Sequence, residues 1–271
     1  MDKTVSFIGV GNMGGALLEG ACKTVSPKQI AITDFDRDKA AATAKRLGCA
    51  VRGGNREAAE ADYVFLCVKP QVLGSVLPEI SPALAQGKDH CLVSIAAGVT
   101  IASIRQRLAG AAKEMPILRV MPNITAAVGR GMLALASDNS ASQAQTEDVR
   151  ALLAACGRVD DLPETLMDQF TVVSGCLPAF VFQFIEAAAD GAVLTGLPRA
   201  KAVEYAAQTV LGSAAMVLEQ GRHPGALKDM VCSPGGSTIA GVAALERGAF
   251  RGAVIDAFEA AYRRNTELGK D

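Results

Sequence analysis

The feature that most constrains this chain lies in its first fourteen residues. Thr4-Val-Ser-Phe-Ile8 reads as a short apolar strand, and Gly9-Val-Gly-Asn-Met-Gly14 follows it directly. A helical pattern then runs through Ala16, Leu17, Leu18 and Ala21. This is G-x-G-x-x-G with a strand before it and a helix after it, the context that gives the motif meaning. Gly9 permits the tight turn, Gly11 lets a pyrophosphate approach the backbone, and Gly14 lets helix and strand pack closely. A chain that begins this way is committed to a parallel, dinucleotide-binding sheet.

The alternation that such a sheet requires continues along the sequence. A second strand, Ile30–Thr33, ends at Asp34-Phe-Asp-Arg37. An acidic residue about 20 positions after the fingerprint holds the adenosine ribose hydroxyls, and Asp34 fits that role. Arg37 can instead face a 2′-phosphate, so the preference between NAD and NADP stays open at this point. Asp36 suits the N-cap of a helix over Arg37–Leu47. Asp62–Val68 is an almost wholly apolar strand, as buried parallel strands are, and it ends at Lys69-Pro70, on the sheet edge where ligands bind. Further strands are read at Leu92–Ile95, Pro116–Met121 and Gly131–Ala136. A polar loop, a helix near Gln143–Cys156 and a short strand at Gly157–Asp160 follow. Strands alternating with helices imply a doubly wound sheet.

After Pro163 strand patterns stop. The expected organisation is α/β, with a Rossmann-type dinucleotide-binding domain over 1–161 and an all-α substrate-binding and dimerisation domain over 162–271. The segment Val172–Leu194 carries only two charged residues, Glu186 and Asp190. A helix this apolar must be covered on most sides, and a helical domain this short covers it only partly, so burial against a second subunit is expected.

Composition excludes several classes. The net charge is −1, with no Lys or Arg run beyond pairs, so nothing draws nucleic acid or an anionic membrane surface. No uninterrupted apolar stretch approaches the ~20 residues of a membrane span. The N-terminus goes straight into a strand and is not read as a signal peptide. The seven cysteines are odd in number and form no CxxC pattern, and the two histidines, His90 and His223, form no ligand cluster. Disulfides and metal are not expected, and a cytoplasmic location fits.

The second informative stretch is Met230-Val-Cys-Ser-Pro-Gly-Gly-Ser-Thr238, which leads into a helical pattern at Ile239–Glu246. Ser237 and Thr238 are helix-start residues whose oxygens accept from unpaired backbone donors. The helix dipole and outward-pointing amides make such a start a small-anion site, and the paired glycines admit close approach. A substrate carboxylate fits. From Leu166 to Pro198 there is no Lys, Arg or His to act as a general acid. Hydride addition to a cationic imine needs none, so the chain leans toward reducing C=N in a small carboxylate-bearing molecule.

The chain resembles the pyrroline-5-carboxylate reductase family over its whole length. The residues that carry the resemblance are Phe7–Gly14, Val68-Lys-Pro70, Ser94–Val99, Arg119-Val-Met-Pro-Asn123, Leu197-Pro-Arg199, and His223–Asp229 through Ser233-Pro-Gly-Gly-Ser-Thr238. The resemblance implies reduction of 1-pyrroline-5-carboxylate to L-proline with NADPH or NADH, the last step of proline synthesis. It implies that the amides around Gly235, Gly236 and Ser237, with the Ser233 hydroxyl, hold the substrate carboxylate, and that Thr238 contacts the ring nitrogen. It further implies that Gly11, Asn12 and Met13 line the pyrophosphate, and that Asn55, Val68, Lys69, Pro70 and Ala97 line the adenosine and nicotinamide path. The implied assembly is a homodimer with interlocked C-terminal helices, in some members a ring of five dimers.

Two departures stand out. The family commonly continues Met-Pro-Asn with Thr-Pro, where this chain has Ile124-Thr125. It often reads Ser-Gly-Ser-Gly-Pro-Ala-Tyr, where this chain has Ser174-Gly-Cys-Leu-Pro-Ala-Phe180. A β-hydroxyacid dehydrogenase is the rival enzyme, but the catalytic Lys of that class on the helix after the nucleotide domain is missing here. A non-catalytic dinucleotide sensor is the rival outside enzymes.

Overall fold

The computed structural model describes residues 3–86 and 90–268. Its first compact unit comprises 1–175 together with 262–271, and the second comprises 176–261.

In the first unit eight strands form one sheet among the described residues: β1 (Val5–Ile8), β2 (Ile30–Thr33), β3 (Ala50–Val51), β4 (Tyr63–Leu66), β5 (Cys91–Ser94), β6 (Ile117–Met121), β7 (Gly131–Ala136) and β8 (Gly157–Leu162). Their order is β3-β2-β1-β4-β5-β6-β7-β8. All neighbours run parallel except β6 and β7. Every residue of β1, β2, β4 and β5 is buried, so the period-2 alternation that marks a half-exposed strand is missing and the strands read as apolar runs. Adjacent residues still serve opposite faces. Phe7 stacks on Phe65 at 4.6 Å between ring centres, in a core with Leu17, Leu18 and Leu152. Ile8 and Leu66 pack on the other side with Leu77, Ile80 and Ile104.

The helices that supply these residues are α1 (Asn12–Thr24), α2 (Arg37–Leu47), the single turn α3 (Asn55–Ala58), α4 (Leu73–Leu84), α5 (Ile101–Arg107) and α6 (Gln143–Leu153). The expected cap on α2 is present: the Lys39 N–H donates to Asp36 Oδ1 at 3.0 Å. Because β1 lies between β2 and β4, the chain leaves it to opposite sides. The carboxyl ends of these strands therefore flank the crevice where a dinucleotide binds.

After β8 the chain does not leave this unit at once. α7 (Met167–Thr171) packs its fully buried Met167 into the second core. A π-helical turn, Val172–Cys176, follows. The division by packing thus falls within that turn, at Gly175 and Cys176, well after the last strand.

The second unit is helical: α8 (Leu177–Leu194), α9 (Arg199–Gln220), α10 (Pro224–Met230), α11 (Ser237–Arg247) and the part of α12 (Phe250–Leu268) up to Ala261. Phe180 meets Phe258 edge-on at 5.7 Å, and Arg199 pairs with Asp190. Within this unit only Ala189 and Ala202 are buried among the described residues, while Phe182, Leu194, Leu211 and Leu218 are more than half exposed. An apolar cavity of about 570 Å³ is lined by Phe180, Phe184, Leu245, Phe250 and Val254. By length and composition the helical run Glu164–Leu194 is also long and apolar enough to cross a bilayer. Scattered polar residues, among them Glu186 and Asp190, break up the run, so it holds no uninterrupted apolar stretch of that length.

Candidate active site

The glycine turn is built as its spacing requires. Gly9 has φ +96°, and a Cβ there would come within 2.9 Å of the Cys67 carbonyl oxygen. A Cβ on Gly14 would overlap the Gly9 carbonyl oxygen and lie 2.8 Å from Cys67 Cβ. Gly14 is thus a packing glycine, filling the junction of α1 with β1 and β4. Gly11 differs: a Cβ there would meet nothing within 4 Å. It is the N-cap of α1, and no side chain caps that helix. The amides at the start of α1 therefore face open space, at the positive end of the helix dipole.

Beside this turn a cavity of about 900 Å³ is lined by Gly9, Gly11, Asp34, Arg37, Asn55, Val68 and Lys69. These seven are sequence-predicted cofactor residues that the fold brings together. Asn12, Met13, Gly14, Pro70 and Ala97 do not line it. Asn12 is exposed at the first turn of α1, and Ala97 is exposed just beyond the carboxyl end of β5.

Asp34 does more than the sequence shows. Its Oδ2 accepts from the Val10 N–H at 2.7 Å and its Oδ1 from the Asp36 N–H at 3.0 Å. It therefore ties the end of β2 to the glycine turn, and its remaining lone pairs stay available to a sugar hydroxyl. Arg37 Nη1 donates to the Arg52 carbonyl at 3.3 Å, and Asn55 Nδ2 donates to Glu79 Oε2 at 2.9 Å. The Cys67 thiol also borders the cavity, and burial pushes its pKa well above the ordinary thiol range. It stays a neutral thiol at physiological pH.

Sequence reasoning missed Phe35, Lys39, Val72, Val76 and Glu79, all of which line the same cavity. Phe35 is fully exposed, at 104%. A lone phenylalanine between two acidic residues in a loop was the available signal. Val72, Val76 and Glu79 gave none, since they follow ordinary helical spacing from the N-cap of α4 into its middle.

The second stretch singled out in the sequence, Met230–Thr238, lies in the helical unit. α10 is capped by His223, whose Nδ1 accepts from the Gly225 N–H at 3.1 Å. The chain then turns: the Gly236 N–H donates to the Ser233 carbonyl at 3.0 Å, with Gly235 at φ +70°. α11 starts at Ser237, and its N-cap is Gly236, with no side-chain cap. This corrects the expectation that Ser237 or Thr238 caps the helix. Both lie inside the first turn, so their hydroxyls are not spent on the backbone. Ser233, Gly235, Ser237 and Thr238 are all exposed, and Gly236 is half-buried. A Cβ on Gly236 would come 2.5 Å from Ser233 Oγ. The result is an uncapped helix N-terminus with three hydroxyls beside it, a cradle for a small anion.

Two family models match separate parts of the chain. Residues 164–268 match the pyrroline-5-carboxylate reductase dimerisation family, and residues 4–98 match the family of NADP oxidoreductases, coenzyme F420-dependent. The pyrroline-5-carboxylate reductase of Escherichia coli K12 is 44% identical over 273 residues, covering 100% of both chains. The chain belongs to the pyrroline-5-carboxylate reductase family. Its fold agrees with a solved pyrroline-5-carboxylate reductase from Coxiella burnetii at a TM-score of 0.89 and 32% identity, covering 99% of each chain. A Plasmodium falciparum pyrroline carboxylate reductase solved with NADP bound gives 0.85 and 30%, covering 99% of this chain and 98% of that one.

The chain is accordingly an NAD(P)H-dependent oxidoreductase of proline biosynthesis that reduces the C=N bond of pyrroline-5-carboxylate. The first departure from the reductase pattern lies beside Asn123, which bonds to the π-turn. Asn123 Nδ2 donates to the Ser174 carbonyl at 3.0 Å, inside the π-turn, and Asn123 Oδ1 accepts from the Met132 N–H at 3.1 Å. Thr125 Oγ1, from the first departure, donates to the same Oδ1 at 2.9 Å. Ile124 beside it is nearly half exposed. With Ile-Thr in place of Thr-Pro, the hydroxyl donor at this junction comes from position 125.

Proposed function

We propose that the reductase works from two half-sites, with residues 1–161 holding the cofactor and residues 162–271 holding the substrate and the partner subunit. Gly9, Gly11, Asn12, Met13 and Gly14 form the pyrophosphate turn. Asp34, Arg37 and Asn55 meet the adenosine end, and Val68, Lys69, Pro70 and Ala97 border the path toward the nicotinamide. The amides of Gly235, Gly236 and Ser237, with the Ser233 hydroxyl, take the carboxylate of 1-pyrroline-5-carboxylate. Thr238 is placed at the ring nitrogen, the atom whose bond to carbon is reduced. The nicotinamide supplies the hydride. The protein's own contribution is to orient the imine and neutralise the carboxylate, consistent with the missing Lys, Arg and His between Leu166 and Pro198. The observation that carries this reading is the uncapped start of α11 behind Gly235 and Gly236.

NADPH is the favoured cofactor, because Arg37 and Lys39 both border the cavity where a 2′-phosphate would lie. NADH also serves, through Asp34. The exposed apolar residues of α8 and α9 and the cavity at Phe180 and Phe250 take a second copy of the chain, giving a homodimer. The match to a dimerisation domain over 164–268 supports this. The same surface explains why a run as apolar as Glu164–Leu194 need not enter a membrane, and we place the enzyme in the cytoplasm. A ring of five dimers is the further assembly open to it.

Thr238→Ala tests the substrate half. With no cap to lose, the variant should melt as wild type does. Losing one hydrogen bond to a charged group costs about 1.5–3 kcal/mol. The specificity constant for pyrroline-5-carboxylate should therefore fall about 10- to 150-fold, with the NADPH dissociation constant unchanged. Full turnover in Thr238→Ala would remove this residue from the site.

A further inference from the structure

One buried ion pair lies outside the residues assigned above. Arg119, in β6, is 3% exposed, and its Nη1 donates to Glu164 Oε1 at 3.1 Å. The same Oε1 accepts from the backbone N–H of Ile101 at 2.8 Å. Two donors from separate elements thus converge on one carboxylate oxygen. Glu164 is itself anchored, since its own N–H donates to Asp138 Oδ1 at 2.7 Å. Arg119 Nη2 has no hydrogen-bond partner among the described residues, so Glu164 is the anion that offsets a buried guanidinium. An apolar side chain would fill that volume at no electrostatic cost, and buried pairs are weak stabilisers for this reason. The pair calls for another explanation.

Ile101 supplies one. It is the first residue of α5, and the loop that feeds it, 95–100, leaves the carboxyl end of β5. That loop is held at its start by Ser94 Oγ, which accepts from the Ala96 N–H at 3.3 Å. A turn from the Val99 N–H to the Ala96 carbonyl closes it at 3.4 Å. Ala96 and Val99 are buried, and Ala97 between them is exposed. At its far end Thr100 caps α5 through the Ser103 N–H at 3.1 Å, and Glu164 takes the next amide. A carboxylate also suits the positive end of a helix.

We propose that Glu164, fixed by Arg119, is a positioning residue for hydride transfer. It sets the height of the 95–100 loop, and so the place of Ala97 against the nicotinamide, through the Ile101 amide. The inference rests on the assignment of Ala97 to the nicotinamide path.

The test compares Glu164→Ala, Glu164→Gln and Ala97→Val with wild type by single-turnover hydride transfer at saturating NADPH. Binding of NADPH and of 2′,5′-ADP, which carries only the adenosine end, is measured alongside. Misplacement by an ångström costs up to about 100-fold in rate, so Glu164→Ala should slow hydride transfer by about 10-fold or more per folded molecule. Its 2′,5′-ADP affinity should hold within about twofold. Glu164→Gln keeps an acceptor for the Ile101 amide and should recover part of the rate, and it serves if the alanine variant does not fold. If both Glu164 variants only melt earlier while hydride transfer per folded molecule is unchanged, the pair is structural and the proposal is wrong. Ala97→Val should weaken NADPH without weakening 2′,5′-ADP. If it weakens neither, the nicotinamide assignment falls and the proposal falls with it. If Ala97→Val acts and the Glu164 variants do not, only the positioning role is refuted.

Discussion

Adding one methyl group at Gly11 and one at Gly14 should have opposite consequences, although the residues are three apart in one turn. At Gly11 a Cβ meets nothing within 4 Å, and the backbone, at φ −63°, accepts alanine. The expected folding cost is that of a poorer N-cap, on the order of 0.5–1 kcal/mol. That is about 1–4 °C in melting temperature for a chain of this size class. The new methyl nevertheless stands in front of the α1 amides, where a pyrophosphate must approach. Losing one charged hydrogen bond is worth about 1.5–3 kcal/mol, or roughly 10- to 150-fold in the NADPH dissociation constant. At Gly14 the Cβ would overlap the Gly9 carbonyl and sit 2.8 Å from Cys67 Cβ. Neither neighbour is the free end of a flexible side chain, so α1 must move off the sheet. Overpacking of this kind costs about 1–3 kcal/mol or more. Thermal melts followed by circular dichroism and NADPH titrations by fluorescence quenching separate the two effects. Gly11→Ala should melt nearly as wild type does and bind NADPH at least about 10-fold more weakly. Gly14→Ala should melt several degrees lower. If Gly11→Ala binds NADPH as tightly as wild type, or Gly14→Ala melts at the wild-type temperature, the division of labour between these glycines is wrong.

Two further outcomes follow from the cofactor cavity and the helical unit. Arg37→Ala should raise the Michaelis constant for NADPH while leaving that for NADH unchanged; an equal effect on both would take Arg37 away from the 2′-phosphate. Light scattering at low protein concentration should find no active species at the 28.0 kDa mass of one chain, and a stable active monomer would contradict the burial of α8 and α9 against a second copy.

The parts of the fold that were legible in the sequence are those where burial left one kind of residue. β1, β4 and β5 are covered on both faces and read as apolar runs between glycine and polar breaks. β3 was not legible: it is two residues long and both are exposed. The single-turn α3 was missed for the same want of length. The antiparallel entry of β7 follows a turn closed by Gly129 in the left-handed region, and that glycine does not announce a direction. In the site, the glycine turn and Asp34 could be placed because their roles rest on backbone geometry that a motif encodes. The capping of α11 was misjudged because Ser237 and Thr238 are good caps in isolation, whereas the turn from Ser233 hands that position to Gly236. Phe35, Val72 and Val76 belong to the cavity only through the way β2 and α4 meet in space. Glu164 reaches Ile101 across 63 positions of sequence, a distance no local pattern reports.

The most direct test of the account asks whether the stretch from Ser233 to Thr238 recognises the substrate's carboxylate. The quantity to measure is the specificity constant for pyrroline-5-carboxylate divided by that for 1-pyrroline, the same cyclic imine without the carboxylate, in wild type and in Gly236→Val. The valine Cβ would press on Ser233 Oγ from 2.5 Å and displace that hydroxyl. Its methyl groups would crowd the amides at the start of α11. The ratio should be large in wild type and fall by about 10-fold or more in Gly236→Val, one charged hydrogen bond or more, while the NADPH dissociation constant stays the same. A ratio that survives the substitution would show that the carboxylate is held elsewhere.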